Sequence, residues 1–251
     1  MNNIRKYGPI CYLGLKQSIV YRANYVIKLV TRLMNLVVAI LMWKWLLANN
    51  SVEFTSITKY LVLTNVLSIL FTFNSSFELA ELIRSGKISI YLTKPISIYW
   101  YLLAHNLGML IPNLIFYLGI SLILKIELIT LLHLLLYLII SYFMFFNLSM
   151  LLGCLSFWIV TLWPLRVSLN ALMMLLGGLY FPLRMLGKNT YIWLQFNPFS
   201  LVTDVPAKLV ISSDSNFTIY LIASIVWLIS FGFLFKLAFQ SGLKKFDGVG
   251  I

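Results

Sequence analysis

The tightest constraint on this chain is a recurrence: apolar runs of about 20 residues, almost free of charge, follow one another along most of its length. A run of that length matches the thickness of a bilayer's hydrocarbon core, where backbone polar groups find no water and must pair within their own segment. No strand-like alternation of apolar and polar residues accompanies the runs, which excludes a barrel pattern and leaves helices. Of the 251 residues, 61% are hydrophobic and 10% charged, with a mean hydropathy of +0.93, far from the roughly 25% charged residues of soluble domains. The expectation is an all-α, polytopic membrane protein forming a single domain over residues 1–251, with six transmembrane helices.

The runs place spans at about residues 25–47, 57–77, 98–124 and 128–157, a fifth from about Val167, and a last one at about 217–239. Residues 1–24 mix Arg5, Lys6, Lys16 and Arg22 with apolar side chains, and Pro9 suits a helix start. They read as an interfacial helix on the inner membrane surface or as a plain basic tail. Lys28 and Arg32 are expected to snorkel to the inner headgroups and Lys44 to the outer ones. Residues 48–56 make a short outer loop, and Pro112 should kink or loosen the third span. In 181–215, Pro182, Gly187, Pro198 and Pro206 interrupt an apolar stretch, so short re-entrant helices dipping into the outer leaflet are expected rather than a straight span.

Six spans put both termini on one side, and charge identifies it. With that topology 13 of the 19 basic residues and three of the seven acids lie inside, a net +10 against +2 outside. The basic excess marks cytoplasmic flanks, and a nucleic-acid partner need not be invoked. Cys11 and Cys154 are too far apart in the sequence to suggest a disulfide frame or metal spacing, and no removable signal peptide is read at the start.

The longest inner loop, residues 78–97, carries two acids and three bases. Glu78, Glu81 and Lys87 flank Leu79, Leu82 and Ile83 at helical spacing, with Ser85-Gly86 as a stop. The back half is expected to run extended or turning into Thr93-Lys94-Pro95. The loop is either a solvated connection or a docking knob for a soluble partner. Asn65, Ser68 and Thr72 recur along the second span at i, i+3 and i+7, a polar stripe that turns inward as glue between helices or as the wall of a substrate path. Asn170, Met174, Gly177 and Gly178 mark the fifth span for packing or for the same path.

The missing chemistry is as informative. All seven carboxylates fall in loops or at span ends, and His105 and His133 sit on different spans without a partner acid at relay or metal spacing. No nucleophile with a base, no metal-binding cluster and no glycine-rich phosphate loop is present in the pattern. No catalytic residue and no metal site are therefore expected, nor a cofactor in this chain. If the protein moves something against a gradient, energy must arrive from another subunit through an inner loop.

Four pieces in order, GLKQSIVYRANYVIKLV, ELIRSGKISIYLTKPIS, GGLYFPLRML with NPFSLVTDVPAKLV, and LKKFDGVGI, make nearly the whole chain resemble the six-span permease subunits of type-two ATP-binding-cassette exporters, in their small stand-alone branch. The resemblance implies an interfacial helix at 9–24, a cytoplasmic coupling helix within 78–90 and outer re-entrant helices at about 181–211. It also implies that Glu78, Glu81, Arg84 and Lys87 contact an ATPase subunit, present in two copies, which binds the ATP and magnesium. A second six-span permease, identical or related, would complete the transporter in a bacterial cytoplasmic membrane, surrounded by lipid. Asn65, Ser68, Thr72, Asn170 and Met174 are the candidates for the substrate path, chosen by polarity. Alternating access would then export an amphipathic drug, antimicrobial peptide or lipid-like compound. The alternative is a membrane-embedded binding or immunity module that holds such a compound without pumping it; an enzyme ranks below both.

Overall fold

A computed structural model describes residues 3–47, 51–123, 128–159, 163–212 and 217–246, and the described residues hold no strand. The N-terminal helix α1 (Asn3–Val20) turns at Tyr21 into α2 (Arg22–Leu46). Next come α3 (Ser51–Leu70), α4 (Asn74–Arg84) and the short α5 (Ile88–Thr93), then the long α6 (Ile98–Ile123) and α7 (Leu128–Cys154). After a 3-10 turn at Leu155–Phe157 the chain forms α8 (Trp163–Leu176). A second 3-10 turn (Leu183–Leu186) and three short helices, α9 (Lys188–Leu194), α10 (Pro198–Val202) and α11 (Asp204–Ser212), precede the long α12 (Phe217–Lys245).

Among the described residues five stretches are long and apolar enough to cross a bilayer: Tyr25–Leu46, Ser51–Arg84, Ile98–Ile123, Leu128–Phe157 and Phe217–Lys245. They correspond to five of the six expected spans. The remaining one, α8, is apolar but has 14 residues, a rise of about 21 Å against a core of about 30 Å. It ends at Gly177-Gly178, where Gly178 takes φ 72° and the chain enters the broken segment.

The polytopic all-helical class is as expected, and several boundaries are not. The second span begins at Ser51 instead of 57, so most of the expected 48–56 loop is helix, with Glu53 complementing the positive end of its first turn. Residues 48–50 lie outside the described residues. That helix stops at Leu70, and Phe71 and Phe73 hold the break closed by packing their rings on Phe145, at 5.6 and 4.9 Å between centroids. Pro9 is the seventh residue of α1 and not its start. Residues 88–93 form a helix where an extended chain was expected, because Gly86 turns the chain at φ 70° and Ile88 is fully buried beneath it. The last span continues six residues past 239, to Lys245.

The larger core is built around α3, whose Ile57, Leu61 and Leu67 are buried together with Tyr117 of α6 and Tyr137 and Met144 of α7. Leu201, Val202 and Val205 of the broken segment join the same core. A smaller one gathers Leu79, Ile83 and Ile88 against Leu102, Met150 and Cys154. By contrast α2 buries Leu36 and Ala39 and leaves most of its apolar side chains outward. The two most extensively packed helix pairs are α7 with α12 and α1 with α6. The second pair crosses at Gly14 and Gly108, where a β-carbon on either would strike backbone of the other helix, the His105 or the Cys11 carbonyl. Residues 3–20 are thus a helix held along α6, and a free tail is excluded.

Candidate functional site

α4 has a buried stripe of Ser75, Ser76, Leu79, Ala80 and Ile83, one face of a helix. The stripe lies on α7. Ser75 donates to Ser149 (2.7 Å), whose Oγ also accepts the Ser76 N–H (3.1 Å). Gly153 leaves room for the Ser76 carbonyl and Leu79 to come close. On the other face Glu81 and Arg84 are exposed, and Lys87 is exposed at the corner before α5. Arg84 also complements the negative end of its helix. The corner is closed by Ser85 and Gly86 donating to the Glu81 and Ile83 carbonyls. The result is a charged two-helix corner anchored by Leu79, Ile83 and Ile88.

Glu78 is placed differently from its three neighbours. Its side chain is 28% exposed and turns toward α6, with Oε2 3.2 Å from His105 Nδ1 and accepting from Asn106 Nδ2 at 3.2 Å. The other ring nitrogen of His105 is 2.8 Å from Gln17 Oε1 on α1. His105 therefore has an acid partner, contrary to the sequence reading, because helix packing joins residues 27 positions apart. Lys6 adds a contact to the Pro95 carbonyl (3.4 Å). Both ends of the 78–97 stretch are thus tied to α1 or α6. His133, the other histidine, is bonded to its own helix through the Ile129 carbonyl.

In the interior, Asn65 donates to the carbonyls of Leu61 (2.9 Å) and Leu179 (3.1 Å), linking α3 to the segment after α8. Ser68 is fully buried and donates to the Asn65 carbonyl (2.7 Å). Arg32 donates from Nη1 to the Ser68 hydroxyl. Its expected reach to the headgroups is therefore replaced by a contact across to α3. The Lys28 side chain lies outside what the structure describes. Thr72 falls in the break after α3, so the polar stripe has two members on the helix and not three. Asn170 is exposed on α8, and Met174 accepts the Tyr180 hydroxyl at its sulfur (3.1 Å). Among the described residues no hydrogen bond joins Asn170 or Met174 to Asn65 or Ser68.

The sequence reading missed a polar cluster in the broken segment. Asp204, counted there as an outer loop charge, is 2% exposed. Its carboxylate accepts from Tyr60, from Tyr191 (3.0 Å) and from Ser200 (3.3 Å). Burial raises its pKa above the usual carboxylate value, and those hydrogen bonds pull it back. Gly178 permits the approach, since a β-carbon there would strike the Tyr60 hydroxyl. Nearby, Lys208 donates to Tyr220 (2.9 Å), which donates to Gln195 (2.9 Å).

Side chains from the long helices also satisfy the interrupted backbone. Trp43 donates to the Tyr180 carbonyl (2.9 Å), Tyr137 to Leu201 (2.8 Å) and Trp227 to Phe196 (2.8 Å). Asn197 caps α10 through the N–H groups of Phe199 and Ser200, both at 2.8 Å, with Pro198 at the first helical position. The sequence reading named Pro198 among the interruptions and did not single out Asn197. Broken backbone beside lipid is tolerable when protein donors cover it, and here four long helices supply them, Asn65 included.

The described residues form a multi-pass helical membrane bundle with a charged two-helix corner and an interrupted segment clamped from the spans. A family model described as ABC-2 family transporter protein matches residues 26–250. The chain belongs to that family and is a transmembrane subunit of an ABC transporter. Such a subunit works with a partner ATPase rather than an ATPase of its own. No curated protein matches the sequence.

Proposed function

We propose that the chain is one half of the membrane pathway of an ATP-driven exporter, with both termini in the cytoplasm and residues 78–97 docked on the ATPase. The observation that carries this reading is the inner corner: Glu81, Arg84 and Lys87 point outward from two short helices whose opposite sides are buried against α6 and α7. A thrust on that corner is transmitted because its anchors are core residues. Two copies of the ATPase bind ATP and magnesium, close, and press on two such corners. A second permease, identical or related, covers the outward apolar side of α2. The inward cavity then narrows while the outer segment opens, in a bacterial cytoplasmic membrane. The substrate is an amphipathic drug, antimicrobial peptide or lipid-like compound, because the interior is apolar with sparse amide and hydroxyl groups.

Co-purification from the native membrane tests the reading. A Walker-type ATPase should accompany the wild-type chain and be lost from the double charge reversal Glu81→Lys with Arg84→Glu, while the melting temperature of the chain itself stays nearly unchanged. Retention of the ATPase by the reversed variant would overturn the assigned corner, and a chain that binds its compound with no ATPase present at all would favour the passive binding module.

A further inference from the structure

Arg32 is a cation set well inside a spanning helix, seven residues beyond the start of the apolar stretch at Tyr25, or about 10 Å along the axis. Among the described residues no carboxylate lies within ion-pair distance of it, and Ser68 is the side-chain acceptor it reaches. A guanidinium has five N–H donors in a flat fork shaped for a carboxylate or phosphate. One hydroxyl leaves most of that capacity unused. In lipid, an ionisable side chain without a protein partner of opposite charge points to a ligand that supplies one.

The surroundings supply the rest of a site. Arg32 lines a cavity of about 90 Å³ where α2, α3 and α6 meet, together with Asn65. The remaining wall is apolar, including Leu33, Leu36, Val66, Phe116 and Ile120.

We propose that Arg32, held in place by the buried Ser68 hydroxyl, forms a recognition site for the anionic head of an amphiphile, a carboxylate or phosphate, with the apolar wall receiving its hydrocarbon. This deepens the exporter reading by giving the substrate class a charge, and its role in transport rests on that reading. The same chemistry could come from a transported compound or from a resident anionic phospholipid.

The experiment uses the full chain in nanodiscs of phosphatidylcholine, with dodecyl phosphate as the probe and dodecyltrimethylammonium as the cationic control, binding being followed by calorimetry. Dodecyl phosphate should bind at least about tenfold more weakly to Arg32→Gln, the loss of a charge-assisted contact, and show intermediate weakening in Arg32→Lys, which keeps charge and loses the fork. Ser68→Ala should weaken it less and gives a second readout should Arg32→Gln fail to fold. Unchanged affinity in Arg32→Gln or, should that variant not fold, in both Arg32→Lys and Ser68→Ala, or equal binding of the cationic control, overturns the site. Replacing half the lipid by phosphatidylglycerol separates the sources: competition identifies a resident lipid, and its absence identifies a mobile amphiphile. Because binding is measured on the isolated chain, its failure leaves ATPase docking untouched, and a site that binds without ATP-driven movement in the assembled transporter overturns export alone.

Discussion

The two ends of the molecule use charge in opposite ways. In the broken segment Asp204 is buried, and three hydroxyls from α3, α9 and α10 donate to its carboxylate, so that the charge is consumed in holding interrupted backbone together. At the two-helix corner Glu81, Arg84 and Lys87 face outward, and apolar residues beneath them carry the stability. The comparison separates charges that build the fold from charges left exposed. Position in a loop does not make that distinction; the number of donors converging on the carboxylate does.

The largest effect is expected at Asp204. Asp204→Leu leaves the hydroxyls of Tyr60, Tyr191 and Ser200 without their acceptor in a buried place, each at about 1–3 kcal/mol, so a loss of about 3 kcal/mol or more is expected. A thermal melt in detergent checks it, and a variant as stable as wild type would erase the contrast between the two ends. Asp204→Asn should fall between. The sign with pH follows from burial: the folded-state pKa is raised above the unfolded value of 3.8. The wild type therefore binds its proton more tightly when folded, and its stability relative to Asp204→Asn should grow as pH falls through the raised pKa toward 3.8.

The next largest effect belongs to the crossing of α1 and α6. Gly108→Val would drive side-chain atoms into the Cys11 carbonyl, and backbone cannot step aside as a flexible side chain can. Overpacking of this kind costs about 1–3 kcal/mol, and α1 should become sensitive to limited proteolysis. Gly8, in α1, faces open space, with nothing within 4 Å of the point a β-carbon would occupy. Gly8→Ala should therefore be neutral or stabilising by up to about 1 kcal/mol. Equal damage from both would mean that the close crossing is not what sets Gly108 apart.

What the sequence disclosed follows the range of the interactions. Apolar runs are local and long, so the spans at α2, α6, α7 and α12 were legible, as was the stop at Ser85-Gly86. Interruptions were legible too, since Pro182, Gly187 and Pro198 break a helix wherever they stand. Contacts between distant residues were not. Nothing local distinguishes Glu78, bonded to His105, from Glu81, which is exposed three residues later. Asp204 read as a loop charge because Tyr60 is 144 positions away. Arg32 read as a snorkelling base because its acceptor, Ser68, belongs to the next span. The candidate residues Asn65 and Ser68 were found by period, whereas Thr72 was assigned to a helix that ends two residues before it.

The smallest expected effect on stability, at Glu78, sharpens the inner end itself. Glu78 is partly exposed, so Glu78→Gln, which weakens its contacts to His105 and Asn106, should cost no more than about 1 kcal/mol. Its neighbours Glu81 and Arg84 are exposed, while Glu78 braces the corner against α6 and, through His105, against Gln17 of α1. A brace and a contact surface fail differently. In Glu78→Gln the ATPase should still co-purify while substrate-stimulated ATP hydrolysis in the assembled transporter falls, because docking is intact and the push is less firmly transmitted. Loss of the ATPase from this variant, as in the Glu81 and Arg84 reversal, would instead place Glu78 in the contact surface and make the inner corner a single charged patch.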